Sequence, residues 1–201
     1  MEKVYLYGAS GHGKVIRDIV EACGGKVMGF FDDNVEIDSI QDLKVLHCIQ
    51  DESPLIISIG SNRVRKMLSQ KLTASFATAV HPSAVISPRA EIGEGTVVMQ
   101  GAIVQTEARI GRHCIINSGA SIDHECVVDD FVHISPHATL CGNVHVGEGT
   151  WIGSGTTIIQ GVNIGRWCTI GAGSVVCKDI PDGYLAVGNR CKLIKKINLE
   201  G

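Results

Sequence analysis

The 201-residue sequence predicts two unlike parts in tandem, a small Rossmann-like parallel α/β sheet followed by a long parallel β-coil. Three observations carry this. Short apolar runs alternate with helical stretches before residue 80, and an aliphatic residue recurs at every sixth position after it. Glycine is abundant at 24 residues while aromatics make up only 4%, which describes many tight turns joining short strands and not a helical bundle.

In the first part a strand over 4–7 runs into the loop GASGHG at 8–13 and a helix over 14–23. A second strand, 27–31, ends in Asp32 and Asp33; a third, 55–59, ends in GSN and enters a helix over 63–72. Strands alternating with helices imply a parallel sheet. Such a sheet binds ligands outside the carboxyl ends of its strands, where helix N-termini attract phosphate. All three loops lie at that edge. The loop spacing is GxxGxG, not the dinucleotide GxGxxG, so a phosphate cradle and a sharp β-α turn needing glycine both remain open. Asp32 and Asp33 read equally as ligands or as solvated strand ends.

In the second part every sixth residue from Val80 to Val176 is Val, Ile or Leu, seventeen in succession. Four residues after most of them stands a small side chain such as Ala102, Ala108 or Ala120; Cys114, Cys126 and Cys168 fall into this set as interior fillers. Each hexapeptide is one side and one corner. Three sides close a coil of 18 residues, with strands about 4.8 Å apart between coils, giving five to six coils. The interior is then full, and any site must lie on the outside or between chains.

A net charge of −3 without a block of like charges leaves no footprint for nucleic acid or anionic lipid. The apolar run after Glu2 and Lys3 is too short for a signal-peptide core or a membrane span, so a cytoplasmic protein is expected. Eight cysteines without CxxC spacing predict neither disulfides nor a zinc ribbon in a reducing compartment.

One stretch, IDHECVVDDFVHIS at 122–135, sets two histidines and their carboxylates among small and aliphatic residues. Stacking places position i below i+18, so Gly142 lies one coil above His124. A histidine facing bare backbone suits acyl transfer, the imidazole taking a proton while a glycine amide approaches a carbonyl. His124 is the general base in this reading. Glu125, in preference to Asp123, holds its second ring nitrogen. The competing reading makes both histidines polar residues on an exposed corner. His133 is half a coil away, on a different side, and only a neighbouring chain brings both into one cleft. His47, His81, His113, His137 and His145 read as structural.

The segments GASGHG, FFDD, IGSNRVR, HPSAVISP, NSGASIDHEC and FVHISPHATLCGNVHVG resemble the bacterial sugar O- and N-acetyltransferases, hexapeptide-repeat enzymes with a left-handed parallel β-helix. The resemblance runs from Val4 to about Gly188. It implies the left hand of the coil, a nucleotide-sugar-binding α/β domain at 1–76, an acetyl-CoA-binding β-helix at 77–201, a homotrimer, and acetyl-CoA as cosubstrate without a metal. It places catalysis on His124 and Glu125, and substrate contacts on Ser10, Gly11, His12, Asp32, Asp33, Gly60, Arg63 and Asn117. Cofactor contacts fall on His133, Gly142, Ser154 and Ala172. The implied reaction is acetyl transfer to the 4-amino group of a UDP-linked deoxysugar. Alternatives are O-acetylation of a sugar hydroxyl such as that of sialic acid, a zinc lyase of γ-carbonic-anhydrase type, and a non-catalytic nucleotide-binding scaffold. VGNRCK at 187–192 departs from the family's G-x-P-A-K/R, with Arg190 where proline is usual.

Overall fold

A computed structural model describes residues 3–48 and 54–197; the expected outer limits at residues 1 and 201 lie outside them. The chain begins with β1 (Lys3–Tyr7), α1 (Gly11–Ala22), β2 (Lys26–Phe31), β3 (Ser39–Ile40), β4 (Leu43–Leu46), β5 (Leu55–Ile57) and α2 (Asn62–Lys71). The strands form one sheet in the order β3-β4-β2-β1-β5, all pairs parallel except β3 with β4. β2 lies on one side of β1 and β5 on the other, so the connection reverses direction at β1. That switch point opens a crevice at the carboxyl end of β1, where GASGHG begins.

Ile16, Ile19 and Val20 recur at helical spacing and bury one stripe of α1 against Val4 and Leu6. Leu68 of α2 packs with Tyr7, Phe31, Leu55 and Ile57. Ser61 caps α2, its hydroxyl accepting from the Val64 amide, whereas Ser10 at the N-cap of α1 makes no side-chain cap bond. The first helix starts at Gly11, three residues before the expected start, because the last glycines of the loop already form its first turn. β3 and β4 were not legible in the sequence, being two and four residues long.

From Ala79 the chain forms seventeen two-residue strands, β6 (Ala79–Val80) to β22 (Val175–Val176). They stack in register at intervals of 18 residues on three faces of six, six and five strands, each pair parallel. The first face contains Val97–Val98, Ile115–Ile116, His133–Ile134 and Trp151–Ile152; the second contains Ser121–Ile122; the third contains Val127–Val128. From Val98 to Val176 every clock aliphatic is at most 3% exposed. Cys114, Cys126 and Cys168 are buried filler, and all eight cysteines are unbridged. The buried hydroxyls of Thr96 and Thr150 donate to the carbonyls of Gly111 and Gly165, so these two polar groups are paired within the coil.

From Gly95 to Gly173 each corner turns through one residue at positive φ, glycine at half of them and Glu107, His113, Glu125, Phe131, His137, Asn143 and Trp167 at the others. The coil ends under β23 (Tyr184–Val187), parallel to Thr169–Ile170, and β24 (Lys192–Lys196), antiparallel to β23.

The α/β unit rests on the lower first face. α1 joins Ala79, Val97 and Ile115 in one apolar cluster. Arg65, only 1% exposed, donates to the carbonyls of Ile59, Gly60, His113 and Phe131 and to Asn62 Oδ1 at 2.8–3.1 Å. No carboxylate partners it in these bonds. The guanidinium is held by carbonyl dipoles from both parts of the chain. Beside it, Asn62 donates to Gly149 O and Lys66 pairs with Glu148.

Candidate active site

The expected residues assemble in two separate places on one chain. The first is a corner of the coil between the second and third faces, where Asp123, His124, Cys141, Gly142, Asn143, Gln160 and Gly161 line a cleft of about 600 Å³. His124 Nδ1 lies 3.1 Å from Glu125 Oε2. Asp123 is engaged elsewhere, accepting from the His124 amide at 2.8 Å. With Nδ1–H donating to the carboxylate, Nε2 carries the free lone pair. A Cβ on Gly142 would stand 2.5 Å from His124 Cε1 and Nε2, so glycine one coil above leaves the room that the imidazole occupies. The His124 and Glu125 side chains are 53% and 58% exposed.

The second place lies at the junction of the α/β unit with the first face. His133 is held from two sides: Asn117 Nδ2 is 3.1 Å from its Nε2, and its ring stacks on Trp151 with centroids 5.7 Å apart and planes 6° apart. Burial lowers its pKa to about 3, helped by the nearby Arg65 charge and by His12. His12 is likewise lowered to about 4, chiefly by burial and then by Arg65, and its Nε2 is buried without a hydrogen-bond partner. Both imidazoles are therefore neutral at pH 7. Asn117, expected as a substrate contact, has its side chain engaged with His133, because its register lies on the first face.

The three loops of the α/β unit converge as expected, and their residues have distinct reasons. Gly8, at φ +123°, must be glycine, since a Cβ would meet Ile59 and Ser58 O; a Cβ on Gly13 would meet Gly8 O. At Gly11 and Gly60 a Cβ would meet nothing within 4 Å and neither has positive φ, so packing does not demand glycine there. Asp32 straps the loops together, accepting from the amides of Ala9 and Asn34 at 2.8 and 2.9 Å. Asp33 accepts from the Tyr7 hydroxyl at 2.6 Å, and burial followed by that carboxylate raises the Tyr7 pKa. Arg63 lies over the Trp167 ring, 5.6 Å from its centroid.

The four expected cofactor contacts do not meet within one chain. His133 is on the first face, Gly142 shares the corner of His124, and Ser154 and Ala172 stack at the corner between the first and second faces, where Gly173 N–H donates to Ser154 O. Sequence reasoning missed Arg65, Trp151 and Trp167. Applying the 18-residue step to His133 would have found Trp151 beside it. Among the described residues no group of three or more His, Cys, Asp or Glu side chains is gathered as a metal would need, and no helix is long and apolar enough to cross a membrane.

Residues 3–72 match the PglD N-terminal domain family, and residues 143–178 match the bacterial transferase hexapeptide repeats. The solved acetyltransferase domain of PglB from Neisseria gonorrhoeae superposes with a TM-score of 0.90 at 35% identity, over 96% of this chain and all of that one. The chain belongs to the hexapeptide-repeat sugar N-acetyltransferases. A variant of perosamine N-acetyltransferase from Caulobacter crescentus, solved with CoA and GDP-perosamine, gives a TM-score of 0.92 at 35% identity over 98% of each chain. A curated relative, UDP-N-acetylbacillosamine N-acetyltransferase of Bacillus subtilis, is 41% identical over 113 residues, 48% of this chain and about half (51%) of that protein. As a member of this family the chain is an acetyl-CoA-dependent sugar N-acetyltransferase.

Proposed function

We propose that this sugar N-acetyltransferase moves acetyl from acetyl-CoA to the 4-amino group of a UDP-linked amino-deoxysugar in one direct step, with His124 as general base and Glu125 as the group that orients it. The carrying observation is the His124–Glu125 pair set one coil below Gly142. The amine nitrogen bonds to the acetyl carbon while His124 Nε2 takes its proton. The C–S bond then breaks, and the sulfur leaves as CoA thiol after proton return from the imidazolium. Nothing in this sequence of steps needs an acyl-enzyme. Substrate is held by Ser10, Gly11, His12, Asp32, Asp33, Gly60, Arg63 and Asn117, and acetyl-CoA by His133, Gly142, Ser154 and Ala172.

A homotrimer completes the site. His124 lies at one corner of the coil while Ser154, Ala172 and the α/β loops lie elsewhere on the same chain, so two copies side by side are needed to enclose one reaction. The half-exposed His124 points the same way, since a general base works best where water is excluded. We place the enzyme in the cytoplasm.

The test follows CoA release from acetyl-CoA with a UDP-4-amino-4,6-dideoxysugar, a GDP-linked 4-amino sugar, free sialic acid, and no acceptor. Release with the UDP sugar alone is expected. Release with the GDP sugar alone would replace the nucleotide, and release with sialic acid alone would overturn the amine as acceptor.

A further inference from the structure

The upper end of the coil holds two cysteines that the acetyl-transfer chemistry does not use, Cys177 and Cys191. Above β22 the chain adds one more rung to the second face: Val175 bridges Asn189 in parallel, and the Val175 amide donates to Gly188 O at 3.1 Å. Carried two residues further, that register sets Cys177 opposite Cys191. Both meet at one oxygen, Val175 O, which accepts from the Cys191 amide at 2.8 Å and has Cys177 Sγ 3.9 Å away. Neighbouring parallel strands lie about 4.8 Å apart, within the Cα separation that a disulfide spans. The two thiols differ in access. Cys177 is exposed, whereas Cys191 is half-buried against the coil core. Burial raises the Cys191 pKa, a hydrogen bond with Ser174 opposes this, and Cys177 adds to it, which requires the two thiols to be close in space.

The segment that follows is loosely held. β24 begins directly after Cys191, lies at the edge of its sheet beside β23, and is exposed at all five positions. It leads to Ile197, whose amide donates to Gly183 O at 2.6 Å and which lines a cavity of about 460 Å³ together with Gly60, Trp151 and Trp167.

We propose that Cys177 and Cys191 form a reversible disulfide that clasps the C-terminal cap to the last coil. The oxidant is a low-molecular-weight disulfide of the glutathione type. The exposed Cys177, as thiolate, attacks one of its sulfurs and releases one thiol, leaving a mixed disulfide on Cys177. Cys191, on losing its proton, then attacks Cys177 Sγ and expels the second. The two electrons and two protons of the pair end on the two released thiols.

The experiment incubates the full chain with oxidised glutathione, or with dithiothreitol as the reduced control, and reads intact mass, non-reducing peptide maps and amide hydrogen exchange. Oxidised wild type is expected to lose two hydrogens, with Cys177 linked to Cys191. Exchange across β24 should slow about tenfold or more, because 177–191 is closed into a ring. Cys191→Ser should stop at the mixed disulfide with glutathione on Cys177, and Cys177→Ser should carry none on Cys191; in both, exchange should stay at the reduced rate. Wild type that keeps glutathione on Cys177, or links either cysteine to another residue, overturns the clasp. So does a Cys177–Cys191 bridge that leaves exchange in β24 unchanged. None of these readouts needs turnover, so failure of the clasp and failure of the reaction assigned above are told apart.

Discussion

At the scale of single residues the corner at 124–125 joins chemistry to backbone geometry. His124 is half exposed and makes no core contact, so His124→Ala should lower turnover about 10²-fold or more while leaving the melting temperature unchanged; turnover near wild type would remove it as the base. Gly142→Ala should produce a comparable loss, because its Cβ would stand 2.5 Å from Cε1 and Nε2 and push the imidazole aside. Glu125 sits at φ +59°, where an L-residue with a Cβ is strained by about 1 kcal/mol and glycine is not. Glu125→Gly is therefore expected to unfold at the same or higher urea concentration than wild type while losing activity, the opposite of what a structural carboxylate would show. The His-Glu pair was legible in the sequence, since adjacent residues and an 18-residue stack need no tertiary information. Asn117 was not: its partner is chosen by which face it occupies and by the His133 ring.

At the scale of elements, Arg65 decides how α2 meets the coil. Its donors serve four backbone carbonyls and Asn62, and burial lowers its pKa only to about 10, so it stays charged at neutral pH. Arg65→Met leaves those buried acceptors unpaired and should destabilise the protein by about 3–5 kcal/mol in urea unfolding, the range for breaking a buried charged network. A cost below about 1 kcal/mol would show that the α2–coil contact relaxes around the loss. The sequence placed α2 after the strand that ends in GSN, but marked Arg63 and passed over Arg65. A cation inside a helix reads as solvated unless the carbonyls around it are known, and two of these carbonyls belong to coils 48 and 66 residues away.

At the scale of the whole molecule, the contact between the α/β unit and the coil buries titratable groups. His113 is 5% exposed, stacked on Phe131 at 5.4 Å and met edge-on by Phe76 at 4.7 Å; burial lowers its pKa to about 4. A folded-state pKa below the unfolded value of about 6.5 means that the unfolded chain binds more protons, so stability rises with pH between about 4 and 6.5 and is lost as pH falls through that window. His113→Phe should flatten the dependence by about 1.4 kcal/mol per pH unit there, measured as urea midpoints across the range; an unchanged slope would mean that His113 is charged when folded. The sequence by itself determined the coil, its core and the alternation of sheet and helix, because a strict six-residue period and apolar runs act locally and repeat. It also set His124 beside Glu125 and one coil below Gly142, since stacking carries a position to its neighbour by simple addition. Tertiary structure alone decided where the α/β unit docks, that Arg65 joins it to the coil, and that Trp151 faces a cavity. Those outcomes depend on which surfaces meet between segments far apart in the chain, and no local pattern encodes that meeting.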